Sequence, residues 1–422
     1  MNIEQIKIKI RPYYYRWYVW PKAVRQHGIV ISDIRRRGHA NVVFFASNLS
    51  MWHLQGVYDL LHADQRFNTH IILRQFALYD NRQTQEDLAK LRSYFDEKHM
   101  SYLDASQWEN EECDLTRKLQ PDILFYPQPY FDSYGNLLNS DNYQNRLLCY
   151  LPYAVNIETE WWSINSDYQN RAWKLFYETE YNKKEAERAM FIRGKNVVVV
   201  GNADADSVIG VDYQDVWKPQ NHRKKRIIWA PHWSIAQGEF LNRGSFLWLH
   251  DVMLQLAHKY RNELQIAFKP HPRLKTALYA FPEWGKERTD AYYAEWRNRD
   301  NCQLEEGAYT DLFMTSDAMI HDSDSFTVNY HFSRRPVLFT SQNFDTTRNR
   351  LNALGKAAID AHYVGKDIED VKQFIMHTVL EDNDPKKPER MAFYNKYLIP
   401  PNGKTVAQNV YDNIVGSLFP EK

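Results

Sequence analysis

Short apolar runs alternate with longer amphipathic stretches along this chain, the pattern of βαβ units around a parallel sheet. In the first half, NVVFFAS (41–47) reads as a buried strand and MWHLQGVYDLLHAD (51–64) as the helix after it. THIILRQF (69–76) is a second strand, and QEDLAKLRSYFDEKH (85–99) has helical spacing. DILFYPQ (122–128), LLCYLPYAV (147–155) and KNVVVVGN (195–202) supply further strands. Most are β-branched or aromatic and apolar on both faces, as strands covered by helices on both sides must be. The rhythm lapses after Gly201: residues 203–225 are polar, are broken by Pro219, and read as a linker. It restarts with RIIWAPHW (226–233), a strand and its loop, and GSFLWLHDVMLQLAHKYRNE (244–263), a long amphipathic helix. LQIAFKPHP (264–272), DAMIHDSDSF (317–326) and RPVLFTS (335–341) add strands, the second running into a helix start, and three helices close the chain.

The expected fold class is α/β, with two Rossmann-like doubly wound domains facing a central cleft. The boundaries read as a basic aromatic segment (1–37), a first domain (38–202), a linker (203–225), a second domain (226–400) and a C-terminal helix (401–422). A chain of 422 residues is long enough for two or three cores. In such sheets ligands bind outside the carboxyl ends of the strands.

Composition narrows the setting. Formal charge sums to zero, which gives no electrostatic argument for nucleic acid as a partner. Residues 1–37 are the local exception, with nine Lys or Arg against two acids, threaded with aromatics in RPYYYRWYVWPK. Such a segment suits an anionic headgroup layer. The other reading, that its aromatics pack onto the first domain, is favoured by the lack of a clean amphipathic helix with a Lys-rich face. Cys113, Cys149 and Cys302 have no CxxC spacing, which argues against a zinc site or a disulfide framework and for a reducing cytosol. No run reaches the length needed to cross a bilayer, and MNIEQIKIKIRPYYY carries charges where a secretory leader needs an apolar core.

Candidate chemistry gathers at strand ends of the second domain. In AFKPHPRL (267–274), Pro270 and Pro272 hold Lys269 and His271 in extended geometry on a stiff loop. An imidazole there can accept a proton from an attacking hydroxyl or donate to phosphate oxygens, and Lys269 can neutralise phosphate. The plain alternative is a solvated loop histidine. In AMIHDSDSF (318–326), His321, Asp322, Ser323 and Ser325 lie where a strand meets a helix start, which reads as an ordinary cap or as a phosphate cradle. Asp322 and Asp324 form a D-x-D, which leaves a divalent cation open, although one carboxylate is expected to cap. His232 and Trp233 end the strand IIWAPHW, and Trp233 reads equally as core. No GxGxxG, Walker sequence or HExxH occurs.

FKPHP, followed by TDLFMTSDAMIHDSDSF, RRPVLF and PPNGKTVAQNVYDNI, resembles the C-terminal domain of the CDP-glycerol glycerophosphotransferase family, over roughly residues 190–415. The resemblance implies a GT-B architecture with an acceptor domain first and a nucleotide-donor domain second. It implies transfer of a polyol phosphate from a CDP-activated donor to a glycan or lipid-linked acceptor. That chemistry would run in the cytoplasm, at the inner face of the membrane. By position, His271 takes the family's essential histidine, and Asp322, Ser323 and Ser325 take donor-phosphate contacts, with Lys269, His232 and His321 beside them. Family polymerases carry a Trp-His-Gly-Thr segment late in the first domain; here the stretch reads LCYLPYAVNIETEWW, without histidine. Tyr150, Tyr153, Glu158 and Glu160 are the candidate substitutes. Transfer of a sugar from a nucleotide sugar, and a non-catalytic nucleotide- or glycan-binding role, stay open as alternatives.

Overall fold

The computed structural model describes residues 3–74, 81–105, 118–126, 145–159, 164–235 and 244–420. The chain divides into two compact units: residues 1–156, 160–206 and 400–422 form the first, and residues 157–159 and 207–399 the second.

The first unit is built on seven parallel strands. They are β1 (Ala40–Ala46), β2 (Phe67–Leu73), β3 (Tyr102–Asp104), β4 (Ile123–Tyr126), β5 (Leu147–Tyr150), β6 (Lys174–Tyr177) and β7 (Val197–Val199). Their order is β3-β2-β1-β4-β5-β6-β7. Parallel neighbours cannot be joined by a hairpin, and the helix Gln55–Ala63 makes the crossover from β1 to β2. Val42 to Phe45 are fully buried, and Phe44 stacks on Phe125 at 4.8 Å across the β1–β4 pair.

Residues 3–37 are helical throughout: Ile3–Tyr14, a π-helical turn Tyr15–Val19, and Trp20–Arg37, ended by Gly38 in the left-handed region. This corrects the expectation that no amphipathic helix forms here. One face packs on the first unit through Tyr15, Val19, His27 and Ile34. Tyr15 donates to Asp167, Arg16 Nε to the Phe191 carbonyl at 2.7 Å, and Arg37 to Asp122 at 2.7 Å. The opposite face leaves Ile10, Tyr13, Tyr14, Trp17 and Tyr18 exposed. The reading in which the segment packs onto the first domain thus holds for one face only.

The last helix, Val406–Leu418, belongs to the first unit rather than standing apart. Asp206 holds it, accepting from the Val406 and Ala407 amides at 2.7 Å each, where a carboxylate meets the positive end of the helix dipole. Gly201, with φ 106°, lets the chain after β7 pass close to the segment leading into this helix, since a Cβ there would lie 2.9 Å from that of Pro400.

Six parallel strands form the sheet of the second unit: β8 (Lys225–Ala230), β9 (Leu264–Phe268), β10 (Cys302–Leu304), β11 (Ala318–His321), β12 (Val337–Thr340) and β13 (Tyr363–Gly365). Their order, β10-β9-β8-β11-β12-β13, repeats that of the first sheet, with the first strand in the middle and the direction of winding reversing beside it. Trp229 on β8 centres the core, stacked on Phe268 at 5.0 Å and Phe246 at 5.9 Å. The segment read as a linker is anchored to this unit. Trp217 is buried and donates to Thr315 at 3.0 Å, and the Lys218 amide donates to Gln303 at 2.7 Å. Residues 157–159 join the same unit, the Ile157 carbonyl accepting from Asn352 at 2.7 Å, so Glu158 is not part of the first sheet. Cys149 and Cys302 are buried free thiols; Cys113 and Glu160 lie outside the described residues.

Removing the central ring should be costly. Trp229→Ala is expected to lower the unfolding free energy by about 3–5 kcal/mol, read as a lower urea midpoint. An unchanged midpoint would contradict the packing described.

Candidate functional site

Three loops leave the carboxyl ends of β8, β9 and β11, and β8 and β11 flank the point where the winding reverses. Open α/β sheets bind ligands at that point. After β9, the His271 amide donates to the Pro231 carbonyl at 3.0 Å, which ties the β9 loop to the β8 loop. His271 Nδ1 accepts the Arg273 amide at 3.1 Å, and this bond assigns the proton of the neutral ring to Nε2. His232 repeats the arrangement, its Nδ1 taken by the Ser234 amide at 3.3 Å and the Ser234 hydroxyl at 2.9 Å. The two rings are 5.1 Å apart, Trp233 is 6.4 Å from His271, and the Arg273 guanidinium lies 3.8 Å over the Trp233 ring. Burial, helped by the Arg273 charge, pushes the His271 pKa down to about 4, so the ring is neutral at pH 7. A neutral Nε2–H donor on His271, the His232 ring and one guanidinium beside an indole thus meet at one strand edge. Of the four, Arg273 was missed from sequence; its sole signal was a cation two positions after the histidine.

Asp322 is fully buried, and donors fill its carboxylate: the His232 amide at 2.6 Å, the Ser245 amide, and the Ser245 hydroxyl at 2.7 Å. Thr340 completes the network, donating to Ser245 Oγ at 3.0 Å and to the His321 carbonyl at 3.2 Å. Burial raises the Asp322 pKa to about 6, against the pull of its donors. Gly244 makes the approach possible, since a Cβ there would lie 2.5 Å from the Ser234 carbonyl oxygen. Asp322 is thus turned away from solvent. It neither caps the helix nor is free to touch a donor phosphate, and the Asp322-x-Asp324 pair does not fit a cation. Among the described residues no group of His, Cys, Asp and Glu is placed to hold a metal.

The remaining expected residues separate. His321 is fully buried, its ring 5.3 Å from Phe339 and 5.4 Å from His362, and its Nδ1 accepts the Ser323 amide at 3.2 Å. Apolar packing and His362 surround it, and burial pushes its pKa down to about 3. Lys269 is also buried; Nζ donates to the Gly307 carbonyl at 2.7 Å, and burial brings its pKa down to about 8 despite Glu305 and Glu306. Ser323 occupies the N-cap position of the helix Asp324–Asn329, yet its hydroxyl makes no capping bond, and Ser325 is exposed. In the first unit, Tyr150 is buried beside Tyr177 at 6.3 Å. A basin of about 970 Å³ opens at the opposite, amino edge of the second sheet, bordered by Lys218, Lys224, His258 and Arg261. Its lysines are committed to the Arg299 and Arg261 carbonyls at 2.8 and 2.7 Å.

The family model described as CDP-Glycerol:Poly(glycerophosphate) glycerophosphotransferase matches residues 165–416. The chain belongs to this family. Membership makes it a transferase. Among solved structures, this glycerophosphotransferase-family chain is similar to the wall teichoic acid polymerase TagF, with 12% identity, a TM-score of 0.56, and coverage of 99% of this chain and 98% of that one. It is also similar to S. aureus MnaA in its UDP co-structure, with 13% identity, a TM-score of 0.59, and coverage of 90% and 98%. A putative UDP-N-acetylglucosamine 2-epimerase from Listeria monocytogenes gives 16% identity, a TM-score of 0.58, and coverage of 91% and 98%. These likenesses are of fold, and they bear out the GT-B class. No curated protein matches the sequence.

The depressed His271 pKa has a signed consequence. The unfolded chain binds this proton near pH 6.5 and the folded one only near pH 4, so its contribution to stability is complete above pH 6.5 and is lost as pH falls toward 4. Asp322, with its raised pKa, acts in the opposite sense. The melting temperature of His271→Asn should therefore fall less between pH 7 and pH 4.5 than that of the wild type. Equal slopes would mean that the ring is solvated.

Proposed function

We propose that this chain transfers glycerol phosphate, or a similar polyol phosphate, from a CDP-activated donor to a hydroxyl of a teichoic-acid-like or other cell-surface glycan. What carries this reading is the neutral His271, whose Nδ1 is spent on the Arg273 amide so that Nε2–H is its donor, beside His232 and the Arg273 guanidinium in a member of this family. The acceptor oxygen bonds to the β-phosphorus and gives up its proton to solvent, the bond from that phosphorus to the bridging oxygen breaks, and its electron pair leaves with CMP. The His271 Nε2–H and the Arg273 guanidinium stabilise the charge that grows on the phosphates, without reorganising as it appears. Trp233 offers a face for the cytosine, and the Ser323 and Ser325 hydroxyls supply further donors. A TagF crystal soaked with CDPG, of the same fold at 12% identity, agrees with such a donor.

Incubation with CDP-glycerol should release CMP, and His271→Ala should cut the rate at least about 100-fold with the circular dichroism unchanged. Release of UDP from a UDP-sugar instead would select sugar transfer. No release from either, with tight nucleotide binding, would select a non-catalytic role.

The reading includes contact with the inner face of the cell membrane. Among the described residues no helix is long and apolar enough to cross a membrane. The exposed face of helix 3–37 instead combines Ile10, Tyr13, Tyr14, Trp17 (79% exposed) and Tyr18 with exposed Lys9, Arg11, Lys22 and Arg25. Aromatic rings at headgroup depth and cations against anionic lipid act together. Phosphatidylglycerol vesicles should sediment the protein while phosphatidylcholine vesicles do not, and the Trp17→Ala, Tyr18→Ala pair should weaken sedimentation about tenfold. Equal behaviour with both lipids would remove the membrane from the picture.

A further inference from the structure

The basin at the amino edge of the second sheet takes no part in the transfer proposed above, yet its walls are held in place. Three pieces of chain form it: residues 218–224, the helix Phe246–Lys259 with the turn after it, and residues 298–301 ahead of β10. Lys218 Nζ donates to the Arg299 carbonyl at 2.8 Å, Gln220 Nε2 to the Asp300 carbonyl at 2.7 Å, and His222 Nε2 to the Asn262 carbonyl at 2.7 Å. These bonds lace the first piece to the other two. At about 970 Å³ the basin matches the roomiest small-ligand pockets, which reach roughly 1,000 Å³.

The lining has an unusual chemistry. Lys218 Nζ makes one hydrogen bond, and Lys224 Nζ makes two, to Gln220 and the Arg261 carbonyl at 2.7 Å each. An ammonium has three N–H groups, so each lysine keeps its charge and a donor. Among the described residues nothing bonds to the side chains of Arg261, Asn221, Gln255, Asn262 or Asn298, all of which line the basin. Two carboxylates stand against these cations: Asp251, which lies 3.0 Å from His250, and Asp300. The Arg299 guanidinium is already held by Glu295 at 2.7 Å. The balance of charge is therefore positive but slight. Only Pro219 and Leu254 are apolar, and no Phe, Tyr or Trp lines the space.

Each feature argues against a class of ligand. An acyl chain or a docking peptide needs apolar anchors. A nucleic acid needs rings on which its bases stack and a stronger positive field for its closely spaced phosphates. A hydrophilic chain without rings fits, one whose anionic groups are separated by hydroxyl-bearing carbons. Lys218, Lys224 and Arg261 suit its phosphodiesters, and the four carboxamides both donate to hydroxyls and accept from them. We propose that the basin binds a poly(polyol phosphate) chain by units remote from its reacting end. That this chain is the enzyme's own acceptor or product rests on the transfer proposed above. β9, five residues or about 17 Å long, separates the basin from the His271 loop, so the two sites are distinct. A chain gripped here stays near the enzyme between transfers, which raises its effective concentration.

The test measures binding apart from turnover. A hexamer of 1,3-linked glycerol phosphate, labelled with fluorescein at one end, is titrated with the full chain at pH 7 without nucleotide and read by anisotropy. Arg261→Glu should raise its Kd about tenfold with the circular dichroism unchanged. If that variant fails to fold, Gln255→Glu on the helical wall decides and should weaken binding likewise. Binding unchanged in the deciding variant, or absent in the wild type, would overturn the site. Displacement of the hexamer by an oligouridylate of equal charge, as readily as by unlabelled hexamer, would overturn the polyol phosphate as its ligand. Binding weakened by the variant in a protein that releases no CMP from CDP-glycerol would keep the basin and overturn the transfer reading alone.

Discussion

One buried carboxylate organises the second unit. Asp322 draws an amide from the β8 loop and both the amide and the hydroxyl of Ser245 to the end of β11. Each of those donors, removed from water, would cost free energy if left unpaired, so the three segments hold one another. The histidines depend on this. His232 supplies one of the donors, and His271 hangs from Pro231 in the same loop. A carboxylate that looks like a ligand contact in sequence thus acts on any ligand only through the histidine loops that it positions.

The second constraint is the state of the rings. Both site histidines spend Nδ1 on a local amide, and on the neutral His271 that leaves the proton on Nε2. The guanidinium beside them is that of Arg273, 3.8 Å over the Trp233 ring. A neutral ring on a stiff loop has a practical merit, because its hydrogen bond does not vary with small changes in cellular pH.

Much of the architecture could be read from apolar runs, and the exceptions have a common cause. β3, β6, β10 and β13 have three or four residues each, too few to show a period. The supposed linker is polar because its contacts are hydrogen bonds to Gln303 and Thr315, invisible without the fold. His271 was legible because its two prolines are local. The burial of His321 was not, since Phe339 and His362 come from later strands and loops. The partnership of Asp322 with Ser245 spans 77 positions and carries no sequence mark.

The return of the last helix to the first unit has a consequence for synthesis. The second unit is nearly contiguous, residues 207–399, whereas the first needs residues 400–422 as well. A ribosome releases the chain from its amino end, so the later unit can close first, while Asp206 waits for the amides of Val406 and Ala407 to emerge. Loss of residues 400–422 would therefore strike the half of the protein that was made earliest.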